Sequence, residues 1–496
     1  MSSHLARGVQ VVTEPVGPSG AERRERLEAA LGALGKIAGL RVETSPAVRE
    51  RHSRDESHHR AVLPGAVVFC ESTEQVAAVA AACSGLRVPM VAFGTGTGLE
   101  GGAVGSPFGV SLVLSGMQAI LRVSPDDMDA EVEAGVTQVA LNRRLRADGL
   151  FFPVDPGAEA SLGGMAATGA SGTTTVRYGP MRHNVLGLTV VLAGGEVVCC
   201  GGRARKSAAG YDLVDLFLGS EGTLGFITEL TLRLYGVPEA TVAAACSFGD
   251  LESAVGVVTK SLLLGLPLSR IELVDDLQVD ALNRYRQAGL APAHHLFVEL
   301  SGSQATVGEQ ASQLAALVEE AAGGFRLFGS AGEQRELWDV RHDALLAARA
   351  LRPGARTWST DVCVPLSQLA ACIAATRKDL EESGCLAPIA GHVGDGNFHL
   401  AFVLDPSDDG ELRAAEEVHD RLVRRALAGG GTCTGEHGIG TGKLAYLEQE
   451  FGAGIEVMRA IKVALDPEGL LNPGKVLREV LPRTVLGPKG SADDGT

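Results

Sequence analysis

Short apolar runs separated by helical patterns dominate the first half of the chain. Residues 66–70, 88–93 and 110–114 are apolar and rich in β-branched side chains, which predicts buried strands. Between the first two runs, Ser72 and Gln75 have the spacing of a helix-capping box at the start of a helical pattern. This order of strand, helix and strand predicts a βαβ unit.

The pattern then changes to a period of two residues. Residues 130–134 alternate charged and apolar positions, which predicts a strand buried on one face. A helical pattern follows at 137–148, residues 186–200 predict a hairpin with a Gly-Gly turn, and residues 226–234 predict one more strand. From residue 239, long helical patterns alternate with strands, which predicts a second domain of the α+β class.

Length and charge limit the classes of function. A chain of 496 residues favours two or three domains, and a net charge of −16 argues against nucleic acid and against strong binding to an anionic membrane. The nine cysteines are scattered without a C-x-x-C pair, and the N-terminus lacks the apolar segment of a signal peptide. We therefore expect a cytoplasmic protein with at most a peripheral contact with the inner membrane.

Three histidines lie close together in the polar segment at 41–60. His52, His58 and His59 could suggest a metal, but the neighbouring Arg51 and Arg54 would repel a cation. We expect a solvated surface here.

The stretch GTGTGLEGG, residues 94–102, contains the G-x-G-x-x-G pattern of a dinucleotide fold. In that fold the glycines open a helix, whereas here a proline and a β-branched strand follow. A Gly-Lys-Ser/Thr end is also absent, so this is not a Walker A loop. The loop can still hold an anion through successive backbone N–H groups, although a plain tight turn explains it equally well.

Two further glycine-rich segments favour a large ligand. Residues 155–172 are small enough for the chain to lie flat against a planar group, and residues 219–225 lead into a strand. Neither contains the G-x-S-x-G pattern of serine hydrolases.

These three segments, in this order, resemble the FAD-binding domain of the vanillyl-alcohol-oxidase/p-cresol-methylhydroxylase flavoprotein superfamily. The stretches GHVGDGNFH, GTCTGEHG and NPGK resemble the C-terminal domain of FAD-linked 2-hydroxyacid dehydrogenases. Within that group, PVDPGAEASLGGMAATGASGT, RKSAAGY and STDVCVP are most similar to D-lactate dehydrogenases of the cytochrome-linked, mitochondrial type. The resemblance covers about residues 50–480.

The resemblance implies an α+β fold, in which a two-part FAD-binding domain with mixed sheets carries a substrate (cap) domain built on an antiparallel sheet. The expected divisions are a helical arm at 1–60, the FAD-binding domain at 61–238, the cap at 239–470, a return to the flavin at 471–481 and a disordered tail at 482–496.

The resemblance also implies which residues contact FAD. One group would wrap the pyrophosphate, a second would line the flavin, a third would complete the adenine and ribose end, and one asparagine would return from the C-terminus. In that order, they are Gly94, Thr95, Gly96, Thr97, Gly98 and Leu99; Pro156, Gly157, Ser161, Gly164, Ser171 and Gly172; Glu221, Gly222, Gly225 and Ile227; and Asn472. Because the loop at 94–102 contains no histidine, we expect noncovalent FAD.

Dehydrogenation of a 2-hydroxyacid needs a base, a hydride acceptor and a cation for the carboxylate. His437 is the candidate base, with flavin N5 as the acceptor. His392 and His399, joined by a glycine-rich turn, and Glu436 could bind a divalent metal with open positions, and relatives carry a metal here. Zn or Mn suits these ligands, whereas each residue alone would more often be structural.

Three further predictions concern the groups around the base and the metal ligands, and the choice of substrate. Asp395 could orient a ligand histidine. Arg341 is our first candidate for the substrate carboxylate and Arg352 the second, because guanidinium groups bind carboxylates bidentately. Relatives that oxidise D-2-hydroxyglutarate tend to carry a lysine beside the position of Asp361, and its absence here favours D-lactate, glycolate or 2-hydroxybutyrate.

Several alternatives remain at this stage. Glycolate and D-2-hydroxyglutarate are alternative substrates, and a metal-dependent hydrolase or a flavin carrier without catalysis are more distant readings. The electron acceptor could be a quinone, a cytochrome or an electron-transfer flavoprotein. NAD is disfavoured, because no other glycine loop opens a helix in a βαβ unit.

Overall fold

The apolar runs near the N-terminus form the first sheet of the protein, whose computed structural model describes residues 18–478. The strand order is β1-β2-β4-β3, with β1 antiparallel to β2 and the other pairs parallel. The elements are α1 Gly20–Leu34, β1 Arg41–Glu43, α2 Pro46–Arg51, β2 Ala66–Phe69, α3 Thr73–Gly85, β3 Met90–Phe93 and β4 Val110–Val113.

This sheet extends into the segment predicted to be an N-terminal arm. β1 pairs with β2 and α1 packs on α3, so residues 20–43 are part of the first sheet and its core. The predicted βαβ unit is present, with β4 inserted between its two strands. Residues 1–17 and the predicted disordered tail at 482–496 lie outside the described residues.

The second sheet is antiparallel, in the order β5-β6-β10-β8-β9, with a separate pair formed by β7 and β11. Its elements are β5 Ile120–Ser124, β6 Asp129–Glu133, α4 Gln138–Leu145, β7 Leu150–Phe151, α5 Leu162–Thr168, α6 Thr175–Tyr178, α7 Met181–Asn184, β8 Val185–Val191, β9 Val197–Gly201, α8 Leu213–Phe217, β10 Phe226–Arg233 and β11 Tyr235–Gly236. Val191 and Phe226 lie in one buried cluster with Val68 and Leu112 of the first sheet, so the two sheets share a core.

The remaining strands form the large antiparallel sheet of the cap, in the order β15-β12-β14-β13-β18-β19-β16, with β17 paired to β19. Its elements are β12 Ala240–Phe248, α9 Leu251–Leu263, β13 Leu268–Val274, α10 Asp276–Arg286, β14 His294–Gly302, α11 Gln304–Glu320, β15 Gly324–Phe328, α12 Ala331–His342, α13 Ala344–Ala350, β16 Arg356–Ser359, β17 Val362–Cys363, α14 Leu366–Ser383, β18 Ile389–Gly391, β19 Asn397–Leu404, α15 Asp409–Ala428, α16 Leu444–Phe451 and α17 Gly454–Leu465. The expected architecture, a mixed-sheet domain with an antiparallel cap, is confirmed.

The chain returns to the first domain after the cap. The backbone N–H of Met90 donates to the carbonyl of Leu470 at 2.8 Å, and that of Asn472 donates to the carbonyl of Met90 at 2.8 Å. The segment therefore lies beside the start of β3, the strand that leads into the glycine loop. Among the described helices, none is both long and apolar enough to cross a membrane.

Within the segment expected to lie flat against a planar group, residues 162–168 form helix α5, capped by the hydroxyl of Ser161. The prediction of a solvated surface at the histidine-rich segment was wrong. His52 is buried, and the ring of His58 stacks on Trp358 of the cap at 4.2 Å between centroids.

Candidate functional site

The glycine loop forms one wall of a pocket between the two sheets of the first domain. After β3 the loop runs to β4 without entering a helix, as predicted. Helix α5 and the turn before β10 form the other walls. The predicted FAD contacts that line this pocket are Gly94, Thr95, Gly96, Thr97, Gly98, Leu99, Pro156, Ser161, Gly164, Glu221, Gly222, Gly225 and Ile227, and Glu436 and His437 line it as well.

Four predicted contacts do not line the pocket: Gly157, Ser171, Gly172 and Asn472. Gly172 has a structural reason to be glycine. Its φ is +153°, and a Cβ atom there would lie 1.8 Å from the carbonyl oxygen of Asp155. The residue lets the loop pass directly against residues 155 and 156, which support the pocket wall.

Asn472 joins two loops that line the pocket. Its side-chain amide donates to the carbonyl of Gly102 at 2.9 Å and to that of Glu221 at 2.7 Å. The position predicted to meet the flavin thus connects the glycine loop to the turn before β10, and its Oδ1 has no protein partner among the described residues.

The three predicted metal ligands lie together in the cap. His392 follows β18, His399 lies on β19 and Glu436 is in the loop between α15 and α16. Oε1 of Glu436 lies 3.2 Å from Nε2 of His392 and 3.3 Å from Nε2 of His399. One ligand atom from each residue can be chosen so that all three lie within 4.8 Å of one another. This spacing fits three protein ligands around one cation.

The second nitrogen of each histidine is bonded to another group. Nδ1 of His392 lies 2.7 Å from a carboxylate oxygen of Glu272 on β13, and Nδ1 of His399 lies 3.0 Å from the carbonyl of Thr360. Both contacts fix the ring so that Nε2 faces Glu436. The prediction that Asp395 orients a ligand histidine is wrong, because Glu272 has that position. Sequence reasoning missed Glu272, which lies in an apolar strand without a motif.

Arg341 lies beside the same carboxylate. Its Nη2 is 2.6 Å from Oε2 of Glu272, and the residue is buried on α12. Its Nε is also buried and has no partner among the described residues, which leaves a guanidinium donor for an anionic ligand. The second choice, Arg352, is less suited, because it is bonded to both carboxylate oxygens of Glu411, at 2.8 Å each. Neither arginine is among the residues that line the pocket.

The ring of His437 is parallel to that of His399, 4.9 Å between centroids, and its side chain is only 9% exposed. Burial lowers the pKa of His437 to about 4, so the ring is neutral near pH 7 and can accept a proton. Nε2 of His437 lies 3.8 Å from Oε1 of Glu436, whereas its Nδ1 has no partner among the described residues. Nε2 is therefore the ring nitrogen of His437 that faces the cluster of His392, His399 and Glu436.

A buried aspartate that sequence reasoning did not assign to the site holds the loop of Glu436 and His437. Oδ2 of Asp361 accepts hydrogen bonds from the backbone N–H groups of residues 435–437, at 2.7–2.9 Å, and from the hydroxyl of Thr434 at 2.7 Å. Burial opposes its charge, but Lys443, 3.7 Å away, and the nearby histidines hold the pKa of Asp361 well below its usual value. Asp361 is therefore a charged anchor for this loop.

Glu221 holds the other end of the loop from the first domain. Its carboxylate accepts hydrogen bonds from the N–H groups of Ile439 at 2.6 Å and Gly440 at 2.9 Å. Burial raises the pKa of Glu221 to about 7. At Gly440 the φ is +48° and a Cβ atom would lie 1.9 Å from the carbonyl of Glu100, so only glycine fits. The loop with His437 is thus bound by one carboxylate from each domain.

Comparison with known families divides the chain at the same place as the fold. The model of an FAD binding domain matches residues 64–201, and that of the C-terminal domain of FAD linked oxidases matches residues 237–476.

Curated relatives match most of the chain. A protein of Danio rerio named "Probable D-lactate dehydrogenase, mitochondrial" is 52% identical over 88% of this chain and 89% of its own. The "D-lactate dehydrogenase [cytochrome], mitochondrial" of Arabidopsis thaliana is 44% identical over 85% of this chain and 75% of its own. The glycolate oxidase subunit GlcD of Bacillus subtilis is 31% identical over 90% and 96%. The mitochondrial names of the first two contradict our prediction of a cytoplasmic location, which was wrong.

Solved structures share the fold. The chain matches p-cresol methylhydroxylase with a TM-score of 0.73 at 18% identity, over 92% of this chain and 97% of that one. It matches 4-ethylphenol oxidase from Gulosibacter chungangensis with a TM-score of 0.72 at 19% identity, over 93% and 98%. Together with the family models, these matches confirm the predicted resemblance. The chain therefore belongs to the FAD-linked oxidases of the vanillyl-alcohol-oxidase/p-cresol-methylhydroxylase superfamily, in one family with the D-lactate dehydrogenases that it matches.

Proposed function

We propose that this protein oxidises a D-2-hydroxyacid, foremost D-lactate, to the 2-oxoacid. The observation that carries the proposal is the position of His437, which lines the pocket of the FAD-binding loops and stacks on His399 of the cap cluster. The base and the carboxylate of the ligand set thus line that pocket, and Glu272 links the ligand His392 to the buried guanidinium of Arg341. The relatives named D-lactate dehydrogenases support this choice of substrate.

Each residue has a distinct part in this reaction. Arg341 binds the substrate carboxylate with the guanidinium edge that Glu272 leaves free. His437 takes the hydroxyl proton at Nε2, which faces the cluster, and its depressed pKa keeps it neutral beforehand. FAD, held without a covalent bond, supplies the hydride acceptor. The proton and the hydride together account for the two electrons and two hydrogens lost by the alcohol.

We further propose that His392, His399 and Glu436 hold a divalent metal, Zn or Mn. Two imidazole nitrogens fixed by Glu272 and Thr360, with a carboxylate between them, form a donor set suited to either ion. The ion would supply Lewis-acid polarisation of the substrate hydroxyl. Oε1 of Glu436 lies within hydrogen-bonding distance of Nε2 of both histidines, so the three ligand atoms face one another.

D-Lactate is expected to bleach the flavin absorbance of the purified protein under anaerobic conditions, whereas L-lactate leaves it unchanged. The reason is that Arg341 and His437 fix the carboxylate and the hydroxyl, so only one enantiomer directs its C2 hydrogen toward the pocket. Rapid mixing followed by absorbance measures both rates. A colourless protein that FAD does not reconstitute, or equal bleaching by both enantiomers, would contradict the proposal.

Glycolate is the second candidate substrate, supported by the glycolate oxidase relatives at 31–32% identity. D-2-Hydroxyglutarate is less favoured, because its second carboxylate finds no lysine in residues 358–363. Rates of flavin bleaching across the three acids, at equal concentration, rank them. The electrons then pass to a cytochrome, a quinone or an electron-transfer flavoprotein, and the names of two relatives favour the cytochrome.

Removal of divalent metal is expected to lower the rate of flavin reduction by at least about tenfold while FAD stays bound. Dialysis against a chelator, elemental analysis and a rate measurement form the test, and adding back Zn or Mn should restore the rate. The variant Glu436→Gln should lose the metal in the same analysis. Full activity in protein shown to be free of metal would exclude the Lewis-acid role.

A further inference from the structure

A second cavity, of about 820 Å³, lies on the opposite side of the glycine loop from the FAD pocket. Its walls come from the first sheet, from the chain around α2 and from residues 349–357 of the cap. Residues 94–96 line both this cavity and the FAD pocket. The mechanism proposed above uses no other residue of the cavity.

Five arginines from three separate parts of the chain line this cavity: Arg41, Arg51, Arg54, Arg349 and Arg356. Among the described residues, none of the five has a carboxylate within 4 Å. Glu43, Asp55 and Glu56 also line the cavity, but Asp55 is committed to the N–H groups of Ser57 and Ala103. In a chain of net charge −16, so many unpaired guanidiniums around one space make it a local anion-attracting region.

The floor of the cavity is apolar and aromatic. Phe93 and Val113 present the face of the first sheet that α1 and α3 leave uncovered, and they pack with Val48 of α2. The guanidinium of Arg41 lies 3.6 Å from the centroid of the Phe69 ring, and His52 stands edge-on to both phenylalanines. A ligand that fills this space would meet the Arg41 guanidinium on the aromatic floor and the other four guanidiniums around it.

We propose that this cavity binds a small aromatic polyphosphate of nucleotide size. Guanidinium forks bind phosphate oxygens bidentately, and a guanidinium that lies over a ring, as that of Arg41 does over Phe69, offers its outer face to an aromatic base. A volume of about 820 Å³ lies within the usual range for sites of drug-sized ligands. The proposed site does not take part in the oxidation of the hydroxyacid. A negative result for one proposal therefore does not contradict the other.

The test uses the full chain saturated with FAD and titrated with ADP in a calorimeter. We expect one ADP per chain, with bound FAD retained in the filtered protein. Adenosine and pyrophosphate should each bind at least tenfold more weakly than ADP. The double variant Arg51→Glu/Arg356→Glu, which changes both walls, should weaken ADP binding at least tenfold.

The matched control is Arg24→Glu/Arg335→Glu, which makes the same charge change at two exposed arginines outside the cavity. It should alter the ADP affinity less than twofold, and both double variants should keep the wild-type rate of flavin bleaching by the hydroxyacid. No heat with ADP, equal weakening in the two double variants, or pyrophosphate binding as tight as ADP would each overturn the proposal.

Discussion

Replacing His437 by alanine is expected to lower the rate of flavin reduction by D-lactate by about 10²–10⁴-fold, the usual contribution of a positioned base. The side chain is only 9% exposed, and its pKa of about 4 means that the ring is neutral, with a free nitrogen lone pair, at neutral pH. Nearby carboxylates do not replace it: Glu436 lies between two histidines, and Asp361 is occupied by the loop backbone. Rapid-mixing absorbance under anaerobic conditions measures the rate.

A buried histidine elsewhere in the cap provides the control for this substitution. His295 on β14 is 3% exposed, against 9% for the side chain of His437, and has its Nδ1 bonded to the carbonyl of Ala293. His295→Ala should reduce stability but leave the rate per bound FAD within a few-fold of wild type. If His437→Ala also kept the rate per bound FAD within a few-fold, proton removal by His437 would be excluded. A carrier of electrons without catalysis predicts that result.

The strands and helices could be predicted from the sequence, because the burial of side chains along one segment follows the order of its apolar and polar residues. β10, for example, alternates buried and half-buried positions as its sequence does. The break at Asp343, which separates α12 from α13, has no signal in the sequence, since residues 335–350 carry a continuous helical pattern. Propensity alone does not show where tertiary packing turns a chain.

The candidate site was predicted only where its residues share a motif. His392, His399 and Glu436 lie in short glycine-rich stretches, but Glu272 is 120 residues from His392 and sits in an apolar strand. Asp395 was chosen because it is close in sequence, but Nδ1 of His392 is bonded to Glu272 instead. Likewise, nothing local to His58 indicates Trp358, which buries it. Long-range pairing of polar groups has no periodic signature in a single sequence.

Asp361→Asn is the second substitution with a large expected effect, although Asp361 does not line the FAD pocket. We expect flavin reduction to slow by about 10²-fold, because displacement of a catalytic group by about 1 Å costs that much. We also expect the free energy of unfolding to fall by about 1–3 kcal/mol, since the buried donors of residues 434–437 lose their charged acceptor while Lys443 keeps Glu100 at 3.0 Å.

The amide of asparagine fits this position in neither orientation. Oδ2 of Asp361 accepts four hydrogen bonds from residues 434–437, so an amide nitrogen there would face donors only. With the amide reversed, its nitrogen would face the side-chain nitrogen of Asn397, which donates to Oδ1 in the wild type at 2.6 Å. Either way, donors face donors and the loop with Glu436 and His437 must shift.

Asp275→Asn is the matched control, because it makes the same change at another fully buried carboxylate of the cap. Burial raises the pKa of Asp275 to about 7, so the fold already favours its neutral form, and asparagine also caps helices well. Denaturant unfolding, bound FAD and the rate of flavin reduction are measured for both variants. A stability loss in Asp361→Asn with an unchanged rate per bound FAD would show that Asp361 supports the fold alone. A slowed rate at full FAD occupancy, absent in Asp275→Asn, would show that a carboxylate of the cap sets the position of the base.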